Sequence, residues 1–293
     1  MTARLTVRWK GLGITLSVGL ALLLLMDSCM QFRMSKSEID RFFSDKKYKG
    51  TLHRYEVGKR TINYLHVGDT TKPVIVFMHG SPGSLSAFID FMADSSLLAH
   101  AQLISVDRPG FGSSDFGRAE KSLAAQSALL FPVLKRHKRA QPLILIGHSL
   151  GGPIIAQMAM DYPAWVDGLV IVAGSIDPDL EPNEWFRGPL ATPVFKWMLP
   201  RSLRASNDEI YRVKPQLEEM LPRWKDITVP VTVIQGGRDK LVPPGNADFA
   251  KRMLVNAPVK ILLMDDMNHF VPWTHPHIMR QELLEMVKAL TQP

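Results

Sequence analysis

The stretch Leu143-Ile144-Leu145-Ile146-Gly147-His148-Ser149-Leu150-Gly151-Gly152 constrains this chain more than any other. A short apolar run ends at Gly147, and a helical pattern begins near Leu150 and ends near Pro163. A strand that turns into a helix within so few residues needs glycine at its tightest points, where a Cβ would collide with the neighbouring strand or helix. Gly-x-Ser-x-Gly in this context is the pattern of a nucleophile elbow, in which strain lifts the serine hydroxyl out of the sheet. The helix start behind Ser149 offers unpaired N–H groups and a positive dipole end to a developing oxyanion. The plainer alternative is an ordinary strand-to-helix turn that contains a serine.

The rest of the chain supplies the matching rhythm. Alternation in Leu52, Arg54, Tyr55 and Val57, then Ile62, Tyr64, Leu65, His66 and Val67, divided by Gly58-Lys59, predicts an antiparallel hairpin. Val74–Met78 is continuously apolar, as in a strand buried on both faces, and Leu103–Val106, Leu143–Ile146, Gly168–Gly174 and Val229–Gln235 read as further strands of the same sheet. Helical patterns separate them, at 88–98, 121–138, 150–163 and 245–255, and Val259–Met264 and a last amphipathic helix close the chain. The alternation predicts an α/β fold with a doubly wound, mostly parallel sheet, whose ligands bind at the C-terminal ends of the strands. The rhythm breaks at about 177–226, where Trp185, Phe186, Phe195, Trp197 and Met198 are followed by a charged helical stretch over 206–221. This segment reads as a helical lid inserted before the last strands, with Phe195, Trp197 and Met198 facing the substrate. The alternative is a pair of core helices.

The N-terminus reads separately. Arg4, Arg8 and Lys10 precede an uncharged run, Gly11 to Met26, of sixteen residues. A spanning helix needs about 20 residues and a signal-peptide core roughly 7–15. Residues 1–28 are therefore expected to be a signal peptide or membrane anchor, and 29–50 a polar spacer before a catalytic domain at 51–293. Cys29 is the only cysteine, which excludes an intrachain disulfide or a cysteine-cluster metal site. Its position after the apolar run resembles a bacterial lipoprotein cleavage site, with Ser28 as the small preceding residue. Lipidation at Cys29, an uncleaved single span and plain secretion all stay open, and each places the protein outside the cytoplasm or at a membrane. The formal net charge of +7 could suit nucleic acid, yet no binding motif for it is present, and much of the basic excess lies near the N-terminus.

Serine alone is a poor nucleophile at neutral pH and needs a base oriented by an acid. Of nine histidines, His79, His148 and His269 fall at expected strand ends. His148 adjoins Ser149 and is badly placed to turn back on it. His79 belongs to the loop His79-Gly80-Ser81-Pro82-Gly83. His269, in the loop after the last strand, is the expected base. Asp239, before Leu241-Val242-Pro243-Pro244, is the expected acid, and Asp177 is the rival. Backbone amides of Ser81 and Leu150 are the expected oxyanion donors. Asp107 and Arg108 are expected to fix their loop through an ion pair and backbone hydrogen bonds.

From about Thr51 to Leu290 the chain resembles the α/β-hydrolase superfamily. The landmarks are His79-Gly80-Ser81-Pro82-Gly83, Asp107-Arg108-Pro109-Gly110-Phe111-Gly112, Gly147-His148-Ser149-Leu150-Gly151-Gly152, Gly237-Arg238-Asp239 and Asn268-His269, in that order. The resemblance implies a Ser–His–Asp hydrolase that forms an acyl-enzyme on a small to medium apolar ester. It implies no metal and no organic cofactor. Epoxide hydrolases and haloalkane dehalogenases carry a carboxylate at the elbow, so Ser149 argues against both. A carbon–carbon bond hydrolase, an aminopeptidase and a cofactor-free perhydrolase are alternatives on the same fold, and a non-catalytic ligand-binding protein is the alternative outside catalysis.

Overall fold

The computed structural model describes residues 17, 19 and 21–292. Most of the expected N-terminal segment, including Arg4, Arg8 and Lys10, lies outside the described residues. Among the described residues, no helix is long and apolar enough to cross a membrane.

Eight strands form one sheet: β1 (Thr51–Val57), β2 (Arg60–Val67), β3 (Val74–Met78), β4 (Gln102–Val106), β5 (Leu143–His148), β6 (Gly168–Val172), β7 (Val231–Gly236) and β8 (Val259–Met264). Their order across the sheet is β1-β2-β4-β3-β5-β6-β7-β8. β1 pairs with β2 and β2 with β4 antiparallel; every other pair is parallel. The period-two rule of a strand sorts the core into two layers. Val74, Val76, Met78, Leu143 and Leu145 face one layer, while Ile75, Phe77, Ile144 and Ile146 face the other. The chain runs from β3 outward to β4 and then returns to β5 on the other side of β3. That reversal makes the C-terminal ends of β3 and β5 the topological switch point, where a crevice opens.

The helices that matter for the site are α1 (Lys36–Phe42), α2 (Leu123–His137), α3 (Gly151–Asp161), α4 (Arg201–Ile210), α5 (Val213–Met220), α6 (Gly245–Met253) and α7 (Pro276–Thr291). The segment between β6 and β7 is helical, as expected. Its charged stretch is two helices, α4 and α5, broken at Tyr211-Arg212, rather than one. The expected helix at 88–98 is likewise interrupted. Asp94 accepts hydrogen bonds from the backbone N–H groups of Ser96 and Leu97 and so caps a fresh turn, Ser95–Leu98.

Within residues 29–50 a short helix forms and docks on the core. Ser35 starts α1 with a capping box: its hydroxyl accepts from Glu38 N at 3.3 Å, and its own N–H donates to the Glu38 carboxylate at 2.7 Å. The helix then inserts Ile39, and the residue after it, Phe43, into the layer that holds Leu65 and Leu97. Polar residues dominate this stretch, so its two buried anchors were masked in the sequence. If the docking is real, Phe43→Ala should lower unfolding free energy by about 3–5 kcal/mol. A true spacer residue would give a change within about 0.5 kcal/mol, and denaturant titration separates the two.

A second expectation concerns acid. His137, at the end of α2, bonds the Tyr64 hydroxyl through Nε2 at 3.1 Å, with the rings of His53 and His66 close by. Burial, then the nearby His66 and His53, lower its pKa to about 4. The unfolded chain takes up this proton near pH 6.5. Over the window between, the unfolded state binds more protons, so stability falls as pH drops from about 6.5 to about 4. His137→Gln should flatten the pH dependence of the urea midpoint across that window; an unaltered slope would refute the assignment.

Candidate active site

Ser149 sits at the crevice, at the corner between β5 and α3, with φ at 54°. This left-handed conformation is strained for a non-glycine residue and persists only where its surroundings fix it. They do so through backbone: Ser149 N donates to Val172 O at 2.9 Å, and Gly152 N donates to Ser149 O at 2.9 Å. The flanking glycines are needed for clearance. A Cβ on Gly147 would lie 2.3 Å from the Gly151 carbonyl oxygen, and one on Gly151 would lie 2.3 Å from that of Met78.

Asp239 lies in the turn after β7. One carboxylate oxygen accepts from Leu241 N at 2.9 Å and Val242 N at 2.8 Å, which leaves the other 2.8 Å from His269 Nδ1. With Nδ1 committed to Asp239, Nε2 is the ring nitrogen available to a nucleophile. Ser149 and His269 line the same two cavities. No hydrogen bond joins them among the described residues, a looseness common in sites without substrate. The rival acid Asp177 is engaged elsewhere: it caps a short turn through Asp179 N at 2.9 Å and lies 3.8 Å from Arg252.

His148 has a role the sequence reading missed. Its Nε2 donates to the His269 carbonyl oxygen at 2.9 Å, and its ring meets Trp273 edge to face. Burial, and next the adjacent His269, lower its pKa to about 4, so it is neutral at ordinary pH and serves as a peg for the base loop. The one signal for it was a polar side chain at the end of an otherwise apolar strand.

The loop after β3 is built on a buried guanidinium. His79 donates from Nδ1 to Gly80 O at 2.7 Å and accepts from Arg108 N at its Nε2 at 3.0 Å. Burial, and then the charge of Arg108, hold His79 well below its usual pKa. Arg108 donates to the carbonyl oxygens of His79 and Gly80, to Gln126, and by both terminal nitrogens to the Glu209 carboxylate at 2.8 Å. The expected Asp107–Arg108 ion pair is not formed. Asp107 instead accepts from Leu85 N and Ser113 N, both at 2.7 Å, and burial pushes its pKa up to about 6. Ser81 and Leu150, the expected oxyanion donors, both border Ser149; Leu150 caps the N-terminus of α3, and Ser81 ends the His79-Gly80 turn.

Two cavities meet at the nucleophile. One, about 290 Å³, is bordered by Ser175, Glu181, Glu184, Arg187 and Lys240. The other, about 550 Å³, is bordered by apolar groups including Phe32, Leu203, Phe270 and Trp273. The expected substrate-facing residues Phe195, Trp197 and Met198 line neither; they are 46%, 60% and 48% exposed. The segment between β6 and β7 reaches the smaller cavity through Leu180–Pro182, Glu184, Arg187 and Ile210, and the larger one through Leu203. Apolar character alone could not separate these inward residues from the outward ones, because helix phase decides which face turns in.

The comparisons with known proteins agree with this architecture. A family model described as the alpha/beta hydrolase fold matches residues 73–199. A 2-hydroxy-6-oxononadienedioate/2-hydroxy-6-oxononatrienedioate hydrolase of Paraburkholderia phymatum is 24% identical over 263 residues, covering 76% of this chain and 90% of its own. Against another curated relative, a multifunctional-autoprocessing repeats-in-toxin of Vibrio cholerae, identity is 32% over 97 residues, and the chain spans only 2% of that protein's length. Among solved structures, alpha/beta hydrolase domain-containing protein 10 from mouse superposes with a TM-score of 0.62 at 21% identity, covering 82% of this chain and 100% of the other. A bacterial membrane phospholipase A superposes with a TM-score of 0.64 at 16% identity, over 98% of this chain and 100% of the other. In strand order, elbow and motif sequence alike, this chain has the α/β-hydrolase fold.

Proposed function

We propose that the protein is a serine hydrolase that cleaves a carboxylic ester with an apolar acyl group by way of an acyl-enzyme. The observation that carries the reading is the 2.8 Å His269–Asp239 contact beside a serine held at a positive φ at the crevice. On this reading His269 takes the proton as Ser149 attacks the carbonyl carbon. Asp239 holds the ring in the tautomer that leaves Nε2 free, and it stabilises the imidazolium that forms. The amides of Ser81 and Leu150 receive the oxyanion. The leaving alcohol collects the proton from His269, and water then repeats the sequence to release the acid. The larger apolar cavity suits the acyl chain, and the smaller one, whose lining mixes apolar groups with Glu181, Glu184, Arg187 and Lys240, suits the leaving group and the entering water.

A second reading has support from the hydrolase relative of Paraburkholderia phymatum, whose name gives 2-hydroxy-6-oxo dienedioates and trienedioates as substrates rather than simple esters. Carbon–carbon bond cleavage by the same residues is therefore the alternative. We also propose that the N-terminus, left uncleaved, attaches the protein to a membrane outside the cytoplasm; the sixteen-residue uncharged run supports this.

The test is a panel of esters of graded chain length, with a vinylogous diketone acid as control, together with a fluorophosphonate probe. Wild type is expected to hydrolyse esters and to label at Ser149. Ser149→Ala should abolish labelling and lower kcat by roughly 10⁴–10⁶, and Asp239→Asn by about 10⁴. Turnover of the diketone alone would overturn the ester assignment, and an Asp239→Asn variant of near-normal rate would overturn the assignment of the acid.

A further inference from the structure

We infer that residues 27–34, which join the apolar N-terminal run to the catalytic domain, are a working wall of the substrate cavity, with Phe32 as a specificity-determining residue. The inference rests on the ester-hydrolase reading of that site. Phe32 borders the 550 Å³ cavity together with Ser149, His269 and Trp273, although it lies more than a hundred residues before the nearest of them in the chain. Phe32 is 48% exposed, carries no aromatic partner among the described residues, and lines this cavity.

The segment is held in place at several points. The Asp27 carboxylate accepts from Arg201 N at 2.6 Å and from Arg201 Nε at 2.9 Å. The Ser202 hydroxyl donates to the Met30 carbonyl oxygen. Arg33 donates to the Gly112 carbonyl oxygen and lies 4.2 Å from the centre of the Phe116 ring, which Arg201 also covers at 4.8 Å. Met34 N donates to the Ser86 hydroxyl at 3.2 Å. Arg201 and Ser202 begin α4, and the next residue, Leu203, borders the same cavity as Phe32. The latch therefore sets the register of one wall against the other. Phe32 itself has φ at 51°. A phenylalanine in the left-handed region is a backbone outlier that its surroundings must hold in place, and such outliers cluster at ligand sites. Here the bend turns the chain between the Met30 and Arg33 anchors and presents the ring to the cavity.

An acyl chain long enough to extend along this cavity would lie against Phe32, whereas a two-carbon group beside Ser149 would occupy only a small part of the volume. The test compares the rates at which ethyl and dodecyl fluorophosphonates label Ser149 in the full-length protein. Phe32→Ala should lower the dodecyl-to-ethyl rate ratio about tenfold, the scale on which apolar pockets discriminate chain size. Asp27→Asn, which weakens the latch without touching the ring, should lower it in the same direction by a smaller factor. A ratio in Phe32→Ala within twofold of wild type, or above it, would overturn the inference, as would Asp27→Asn matching wild type. Failure of either probe to label wild-type Ser149 would instead overturn the serine-hydrolase reading on which the inference stands, so the two failures are distinct.

Discussion

The guanidinium of Arg108 holds the working end of this molecule together. It has five N–H donors in a rigid fork, and all five are used, on the carbonyl oxygens of His79 and Gly80, the Gln126 amide and both oxygens of Glu209. The side chain is fully buried, and Glu209 nearly so. Two charges so far from water would be strongly unfavourable unless each were matched, and removing one partner of such a pair destabilises by about 3–5 kcal/mol. What the arrangement achieves is registry. Glu209 belongs to α4, Gln126 to α2 behind the sheet, and His79-Gly80 to the loop beside the nucleophile. One planar group thus sets α4, α2 and the loop against each other, and a lysine could not replace it.

The parts legible in the sequence were those governed by local rules. Continuous apolar runs located the parallel strands, because burial on both faces leaves no polar alternation. Gly147 and Gly151 marked the elbow, because backbone approaches backbone there and no side chain fits. Asp239 and His269 could be named from their places after strands, and the structure brings their side chains within 2.8 Å. The parts that stayed hidden depend on long-range partners. Nothing near Arg108 in the chain pointed to Glu209, a hundred residues away, and the adjacent Asp107 was the natural but mistaken partner. Ile39 and Phe43 were hidden among lysines and acids. Between β6 and β7, Phe195, Trp197 and Met198 carried the strongest apolar signal, yet Leu180, Leu203 and Ile210 reach the cavities, together with the charged Glu181, Glu184 and Arg187.

Electrostatics around the crevice follow from burial. His79 and His148 are both kept neutral, one as a brace for the loop after β3 and one as a peg for the loop that carries His269. Neutral imidazoles can donate and accept at once, and His79 does both, which a protonated ring could not. Asp107 is pushed the opposite way, toward its protonated form, yet its carboxylate still joins the amide of Leu85, after β3, to that of Ser113 in its own loop. Rigid, satisfied polar groups therefore surround a serine that is itself strained.

The linear order of these parts has a consequence for the chain while it is being made. The elbow requires only β3, β5 and β6, so its scaffold can form once residues near Gly174 have left the ribosome. Asp239 follows later, and His269 comes almost last, with its loop braced by α7, whose Met279 and Leu283 complete one layer of the core. On the proposed chemistry, a nascent or truncated chain would display a serine without a base and would be inert toward esters. Translation itself would then act as a safeguard, switching on reactivity only in a finished molecule.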